Sequence, residues 1–358
     1  MTRPARRADL QGLSGYHSSQ LDVSVRLNTN ESPFAPPPAF VAAWCEALSH
    51  APLHRYPDRG ATELRGAIAA RLGQPAARIF PANGSNEVLQ TILLTYGGTG
   101  RRALVFEPTY ALHSHLARIT GTAVIAGARG DDYRIDATYA CDLIAREQPD
   151  IVFVCSPNNP SGTVESAETI AAIAAASTGV VIIDEAYGEF APESALDLVT
   201  EDRGFVVTRT YSKVWSLAAL RLGFAVAPTW MVEELDAVVL PYHLDVATQL
   251  AGRLALDHVD DMNARVRTLI EERERLFASL AEHTELDVVP SGANFLLFRC
   301  HGDGHAVWQG LVDRGVLIRD FSGWPGVEDC LRVTVGTREE NDAFLTALAD
   351  VLRESGAR

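Results

Sequence analysis

Short apolar runs alternate with amphipathic stretches along the central part of the chain. The apolar runs lie at 102–107, 151–155, 180–184, 205–209 and 222–227. An Ala-rich stretch at 164–177 separates two of them and has the spacing of an amphipathic helix. Buried parallel strands are typically continuous apolar runs, and helices between them return the chain across the sheet. The pattern therefore predicts an α/β fold with a mostly parallel sheet covered on both faces.

The two ends of the chain depart from this alternation. The first 35 or so residues are polar and irregular and end in a Pro-rich stretch, and a long helical pattern spans about 245–282. Beyond it, strands are predicted at 295–299, 316–320 and 331–335, with helices near 303–314 and 337–354. We therefore predict four segments: an N-terminal arm that packs with the small domain (1–38), a large α/β domain (39–245), a connecting helix (246–282) and a small C-terminal α+β domain (283–358).

Composition and charge exclude several classes of protein. Of the 358 residues, 47% are hydrophobic and 22% are charged, which is typical of a globular chain with a full core. A net charge of −15 argues against binding to nucleic acid or to anionic membranes. No apolar run reaches the ~18–20 residues of a membrane span, and no apolar signal core follows the basic N-terminus. Five scattered cysteines without a C-x-x-C pair predict reduced thiols in a cytoplasmic protein, and no metal site is predicted.

One residue stands out in the charge count. Among 31 basic side chains only Lys213 is a lysine. A genome rich in Arg codons explains the general depletion of lysine but not the place of the one that remains. An arginine can replace most surface lysines, yet its guanidinium cannot form a Schiff base. Lys213 is therefore a candidate for covalent amine chemistry.

Polar clusters follow three of the apolar runs. They are SPNNPSG at 156–162, DEAY at 184–187 and TYSK at 210–213, with Arg221 eight residues beyond the lysine. Ligands of parallel α/β sheets bind at the carboxyl ends of the strands. We therefore expect these clusters to meet at one edge of the sheet, with Lys213 among them.

The residues of these clusters suit pyridoxal phosphate. An Asp184 carboxylate facing the ring nitrogen would keep that nitrogen protonated, and Tyr187 and Asn159 could donate to the phenolate oxygen. Two of these residues have an ordinary structural alternative: Asp184 could form a helix cap or an ion pair, and Asn159 could form a turn. Tyr110 could stack on the ring or could be a core tyrosine.

A phosphate group needs donors and positive charge. Thr210, Ser212 and Arg221 flank the lysine, and the segment 83–87 has the small polar residues of a helix N-terminus. Arg319 and Arg332 lie within apolar strands of the small domain and could bind a substrate anion, although either could equally face solvent.

In this order the motifs resemble the fold-type I pyridoxal-phosphate aminotransferases and, more narrowly, the histidinol-phosphate aminotransferase family within them. Supporting segments are RLNTNESP (26–33), HRYPD (54–58), NGSNE (83–87), SPNNPSG (156–162), DEAYGEF (184–190), SGANFLLF (291–298) and GVLIRD (315–320). These segments follow the family's order along the chain, so the resemblance covers nearly the whole chain. The resemblance implies a large domain with a mostly parallel sheet of the seven-stranded type and a smaller α+β domain.

The resemblance also implies a role for each candidate residue. Lys213, Asp184 and Tyr187 would be catalytic, with Lys213 bound to the cofactor and moving protons. The residues placed on pyridoxal phosphate are Lys213, Ser85, Asn86, Tyr110, Asn159, Asp184, Tyr187, Thr210, Ser212 and Arg221, together with Tyr56 from the other subunit of a homodimer. The residues expected around the substrate are Tyr16, Asn30, Arg319 and Arg332.

The implied reaction is transamination between L-histidinol phosphate, a phosphorylated amino alcohol, and 2-oxoglutarate. An aromatic amino-acid aminotransferase is the nearest alternative, and a phosphothreonine decarboxylase-like lyase is another. A non-catalytic, ligand-sensing domain of a transcription regulator would need an additional DNA-binding domain, for which there is no room before residue 20. An NAD-binding enzyme would need a G-x-G-x-x-G after the first strand, and none is there.

Overall fold

The computed structural model describes residues 3–11, 13, 15 and 20–356. Its strands are β1 (Val25–Leu27), β2 (Ile79–Asn83), β3 (Arg102–Glu107), β4 (Ala123–Ala128), β5 (Ile151–Cys155), β6 (Val180–Asp184), β7 (Phe205–Thr210), β8 (Leu222–Val226), β9 (Leu286–Val288), β10 (Phe295–Cys300), β11 (Val316–Asp320) and β12 (Cys330–Thr334). Its α-helices are α1 (Pro38–Ser49), α2 (Thr62–Leu72), α3 (Gly84–Tyr96), α4 (Leu112–Ile119), α5 (Ala137–Glu147), α6 (Ala167–Ala176), α7 (Thr229–Val238), α8 (Val246–Ala255), α9 (Val259–Ala281), α10 (Gly304–Asp313) and α11 (Arg338–Gly356).

The larger sheet has seven strands in the order β2-β8-β7-β6-β5-β3-β4. Only β8 is antiparallel to its neighbours, β2 and β7, so the other strands all point the same way. The smaller sheet has the order β1-β11-β12-β10-β9 and is mostly antiparallel. These two sheets and their helices confirm the predicted fold class, a mostly parallel α/β part with a smaller α+β part.

The central strands explain why the apolar runs are continuous. Every residue of β5, β6, β7 and β8 is buried, because helices cover both faces of the sheet and neither face can carry a polar stripe. Pro81 lies in β2 at the sheet's edge, where its missing N–H disrupts the ladder least.

The N-terminal segment contributes a strand to the smaller sheet. β1 pairs in parallel with β11, so residues far apart in sequence share one layer. The stretch expected as one connecting helix is divided into α8 and α9 by a short 3-10 turn at Leu256–His258. The domain boundaries at 38, 245 and 282 stay a prediction.

In the part of the chain that the structure describes, no helix is both long enough and apolar enough to cross a lipid bilayer.

One glycine of the large sheet permits the close approach of another element. A Cβ at Gly223 in β8 would lie 2.2 Å from the backbone nitrogen of Ser85 and 2.5 Å from the carbonyl carbon of Gly84. Both atoms are backbone at the start of α3 and cannot swing away. The start of this helix can therefore pack against β8 only because position 223 has no side chain.

We expect Gly223→Ala to lower the free energy of unfolding by about 1–3 kcal/mol, because the added methyl forces α3 away from the sheet. Gly66→Ala is the matched control, since a Cβ at this exposed position inside α2 meets nothing within 4 Å. Alanine should stabilise the helix there by about 0.5–1 kcal/mol. Denaturant unfolding of both variants checks the pair, and equal stability of the two would contradict the packing described.

Candidate active site

The carboxyl ends of the parallel strands meet at one edge of the larger sheet. Cys155 at the end of β5 lies opposite Asp184 at the end of β6, and Asp184 in turn lies opposite Thr208 of β7. β7 then leads into the loop that carries Lys213. The strand register therefore brings the polar clusters to one edge, as the order of runs and motifs predicts.

A cavity of about 360 Å³ opens at this edge. The predicted residues that line it are Asn30, Ser85, Asn86, Tyr110, Asn159, Asp184, Tyr187, Thr210, Ser212, Lys213, Arg221 and Arg332. Thr29, Glu31, Cys155 and three alanines complete its wall. The structure thus places most of the candidate residues around one cavity, while the role assigned to each stays a prediction.

Lys213 lies on the cavity wall with its amine held by the N-terminal segment. Its Nζ donates to the carbonyl oxygen of Thr29 at 3.1 Å and lies 5.7 Å from the centre of the Tyr187 ring. Burial lowers the pKa of this amine to about 7; the nearby charges of Arg332 and Arg221 act in the same direction, and the charge of Glu31 opposes them. A neutral amine is the nucleophilic form, so this environment favours carbonyl chemistry near neutral pH.

Asp184 is a buried carboxylate fixed by three groups. Its Oδ1 accepts hydrogen bonds from Thr208 Oγ1 at 3.1 Å and from the backbone N–H of Ala186 at 3.2 Å. Its Oδ2 lies 3.0 Å from Nε2 of His113, whose ring stacks on Phe153. A carboxylate held in this way cannot rotate and presents its charge to the cavity in one orientation.

Sequence reasoning missed three of these supporting residues. Thr208 is two residues before Thr210 on a strand, a spacing that places both side chains on the same face. His113 is three residues after Tyr110 and so one helical turn from it, which was a usable but weak signal. Thr29 acts through its backbone carbonyl, for which no side-chain pattern exists.

Tyr187 follows β6 and is almost completely buried. Burial raises the pKa of its phenol to about 12, so the hydroxyl stays protonated at neutral pH. Its oxygen accepts a hydrogen bond from Asn30 Nδ2 at 2.9 Å. Asn159 also lines the cavity, and its Oδ1 accepts a hydrogen bond from Arg332 Nη1. The amide and the phenol thus lie on the same cavity.

An anion-binding corner is formed where α3 begins. Arg221 has a left-handed φ of 54° and donates to the carbonyl of Ala218 at 2.9 Å and to Ser212 Oγ at 3.4 Å. A Cβ at Gly84 would lie 2.8 Å from Arg221 Nη2, so the glycine admits the guanidinium to the helix N-terminus. A helix N-terminus beside a guanidinium and hydroxyls is a favourable site for a phosphate.

Two arginines of the smaller sheet are placed side by side. Arg319 of β11 lies directly opposite Arg332 of β12, so both side chains are on one face of the sheet. Their guanidinium carbons lie 5.7 and 5.4 Å from the ring centre of Phe321. Both are buried, and of the two only Arg332 belongs to the cavity wall.

Two candidate residues are elsewhere. Tyr56 is 79% exposed and stacks on Tyr242, with 4.5 Å between ring centres, outside the cavity of its own chain. Tyr16 falls outside the described residues.

A known family and several individual proteins match the chain over most of its length. The model of the family described as aminotransferase class I and II matches residues 23–348. The chain is 45% identical to a histidinol-phosphate aminotransferase of Corynebacterium efficiens, over 96% of this chain and 94% of that protein. It is also 45% identical to one from Streptomyces avermitilis, over 98% and 97% of the two chains.

A solved structure agrees with these relatives. The crystal structure of histidinol-phosphate aminotransferase from Sinorhizobium meliloti, in complex with pyridoxal-5'-phosphate, superposes with a TM-score of 0.86. The two are 26% identical, and the match covers 93% of this chain and 92% of that one.

The amine of Lys213 should react with an amine-directed reagent in a pH-dependent way. Because burial favours its neutral form, labelling of the ligand-free protein should reach half its maximal rate near pH 7. The site is unambiguous in a peptide digest, since no other lysine is present. Mass spectrometry of the labelled peptide, over a pH series, gives the midpoint.

The same chain unfolded in guanidinium chloride is the control for this labelling. There the amine is solvated and should titrate near its ordinary value of 10.5. A midpoint that is the same in the folded and unfolded chains would show that Lys213 is not in the buried, cation-lined environment described.

Proposed function

This chain belongs to the class I and II aminotransferase family, and on that premise we propose that it transfers the amino group of L-histidinol phosphate to 2-oxoglutarate. The products are imidazole-acetol phosphate and glutamate. The observation that carries this substrate is the pair Arg319 and Arg332, opposite each other on adjacent strands beside an amine-bearing cavity.

The residues of the cavity fit pyridoxal phosphate. An amine, a fixed carboxylate and a phosphate-binding corner are the three groups that the cofactor's aldehyde, ring nitrogen and phosphate require. Gly84 leaves room for the Arg221 guanidinium at the start of α3. This supports binding of the cofactor's phosphate at that corner. The residues that would hold the cofactor are Ser85, Asn86, Tyr110, Asn159, Asp184, Tyr187, Thr210, Ser212, Lys213 and Arg221.

Bound pyridoxal phosphate supplies an electron sink for the carbon from which the amino group leaves. Lys213 would attach it and then move a proton on and off Nζ, for which a pKa near 7 is well matched at neutral pH. Asp184 would keep a proton on the ring nitrogen, because its carboxylate is held in one orientation by His113 and Thr208. Tyr187, protonated at neutral pH, would donate a hydrogen bond into the cavity.

The arginine pair favours a phosphate over a carboxylate on the substrate. Both side chains are cations, and Arg332 also donates to the side-chain oxygen of Asn159 and to the carbonyl oxygen of Asn28. A phosphate carries up to two negative charges and several acceptor oxygens, so it can bridge two guanidiniums, whereas a carboxylate is satisfied by one bidentate arginine. This supports the proposed substrate over the aromatic amino acids of the alternative family member.

We further propose that the enzyme is a homodimer in which Tyr56 reaches the cofactor phosphate of the partner subunit. Tyr56 and Tyr242 form an exposed stacked pair, and Leu53 and Leu240 nearby in sequence are 72% and 76% exposed. Large apolar side chains so exposed on a protein surface are typical of an interface. If the surface that carries Tyr56 faces the cavity of the partner subunit, this explains why Tyr56 lies outside the cavity of its own subunit.

We also propose that the enzyme acts in histidine biosynthesis in the cytoplasm. All five cysteines are free thiols, and Cys155, Cys300 and Cys330 are buried. A reducing compartment is compatible with this state.

The substrate assignment is tested by a half-reaction. The cofactor-loaded enzyme is mixed with L-histidinol phosphate, and separately with phenylalanine and with tyrosine, and the resting absorption of the cofactor is followed. We expect rapid loss of the band with histidinol phosphate and a rate lower by about tenfold or more with the aromatic amino acids, since a carboxylate offers the arginines less negative charge and fewer acceptor oxygens than a phosphate does.

Lys213→Ala is the control, and it should show no resting band and no half-reaction. If the band is lost with the aromatic amino acids alone, the enzyme is instead an aromatic amino-acid aminotransferase. Absence of any band in the wild-type protein supplied with cofactor would contradict the proposed chemistry altogether.

The place of Tyr56 is tested with mixed dimers. Tyr56→Ala and Lys213→Ala proteins, each of low activity, are unfolded together and refolded. If Tyr56 acts across the interface, a hybrid dimer has one complete site, and about a quarter of wild-type activity returns in a random mixture. If Tyr56 acts within its own subunit, or the chain is a monomer, mixing restores nothing.

A further inference from the structure

Asn30 joins the smaller sheet to Tyr187. It is 1% exposed and has a left-handed φ of 55°, a conformation that is uncommon for residues with a side chain but is adopted by Asn more readily than by most of them. Its carbonyl oxygen accepts from Asn294 Nδ2 at 3.2 Å, just before β10. Its side chain and N–H are held by Thr334, at the end of β12.

The contacts with Thr334 fix the orientation of the Asn30 amide. Thr334 Oγ1 lies 3.0 Å from the Asn30 backbone nitrogen and 3.0 Å from Asn30 Oδ1. A backbone N–H can only donate, so the threonine oxygen accepts that bond, and its own proton is given to Asn30 Oδ1. Turning the amide over would take this acceptor away from a buried hydroxyl proton, so the hydroxyl favours the orientation with the NH₂ group on the other side.

That NH₂ group faces Tyr187. Asn30 Nδ2 lies 2.9 Å from the phenolic oxygen and donates to it. The phenol's own proton is then not used by Asn30 and is available to an acceptor in the cavity, whose wall includes Tyr187. The preferred direction of both side-chain hydrogen bonds of Asn30 therefore depends on the hydroxyl of Thr334.

We propose that Thr334 is a positioning residue whose hydroxyl orients the Asn30 amide, so that the Tyr187 proton is directed into the cavity. Without that hydroxyl the amide can turn over and offer its oxygen to Tyr187, which would draw the phenol's proton away from the cavity. Asn30, expected from the sequence at the substrate, acts here on Tyr187. The inference rests on the proposed function only in taking the cavity as the cofactor site.

β12 thereby links two parts of the site. Arg332 and Thr334 are two residues apart on this strand and so share a face. Arg332 binds Asn159 and the carbonyl of Asn28, while Thr334 binds Asn30. The strand that carries a substrate-binding arginine also determines the orientation of Tyr187.

The test compares Thr334→Val, which keeps the side chain's shape but has no hydroxyl, with Thr334→Ser, which keeps the hydroxyl. The readout is the pH midpoint at which the cofactor's resting absorption changes, measured without substrate. In the valine variant the cofactor's phenolate oxygen loses a hydrogen-bond donor, and this loss disfavours the charged phenolate. The midpoint should therefore rise by about 0.5–1 pH unit in that variant. The serine variant should titrate with the wild type.

A double-mutant cycle with Tyr187→Phe shows whether the effect passes through the phenol. In the Tyr187→Phe background, Thr334→Val should cause no further shift, because no phenol proton remains to be directed. Thermal unfolding confirms that each variant is folded, and Thr334→Ala repeats the measurement if the valine variant does not fold. A wild-type midpoint in Thr334→Val, or a shift that persists without the Tyr187 hydroxyl, would overturn the proposal.

These outcomes are independent of the substrate. If the half-reaction favours aromatic amino acids, the titration of the resting enzyme still decides the role of Thr334. If the wild-type protein forms no resting band, the proposed function itself fails, and it fails before any Thr334 variant is measured.

Discussion

The site depends on one amine, that of Lys213, whose surroundings favour its neutral form. Lys213 is partly buried beside Arg332 and Arg221, and desolvation together with these charges lowers the pKa of its amine to about 7, while Glu31 acts in the opposite direction. Its Nζ donates to the backbone carbonyl of Thr29, which binds the amine without supplying a negative charge. A carboxylate in that place would have stabilised the ammonium form and removed the nucleophile.

The remaining polar groups are arranged around this amine by two sheets with different tasks. The larger sheet supplies a rigid edge, where β6 ends at Asp184 and hydrogen bonds from Thr208 and the contact with His113 fix that carboxylate. The smaller sheet faces it with Arg332 and, through Asn30, reaches Tyr187. The N-terminal segment contacts both parts, because β1 pairs with β11 while Thr29 and Asn30 bind Lys213 and Tyr187. The site therefore requires the joint packing of the two sheets.

Much of the fold could be predicted because parallel strands buried on both faces must be apolar throughout. The same strands end in polar clusters, and the carboxyl ends of parallel strands lie at one edge of the sheet. For this reason residues such as Asp184 and Lys213 could be predicted to lie close together. The pattern did not reveal the reversed direction of β8, since a buried antiparallel strand is just as apolar. It also missed the 3-10 turn at 256–258, which interrupts an otherwise helical periodicity.

By itself, the sequence determined which chemical groups this protein possesses and roughly where along the fold they lie. A lone lysine, an Asp at a strand end and arginines in apolar strands are properties of residue type and spacing. Only the tertiary structure decided which groups act on which, because hydrogen-bond direction, strand register and burial depend on atoms distant in the chain. Thr334 and Asn30 are 304 positions apart, yet their contact orients Tyr187.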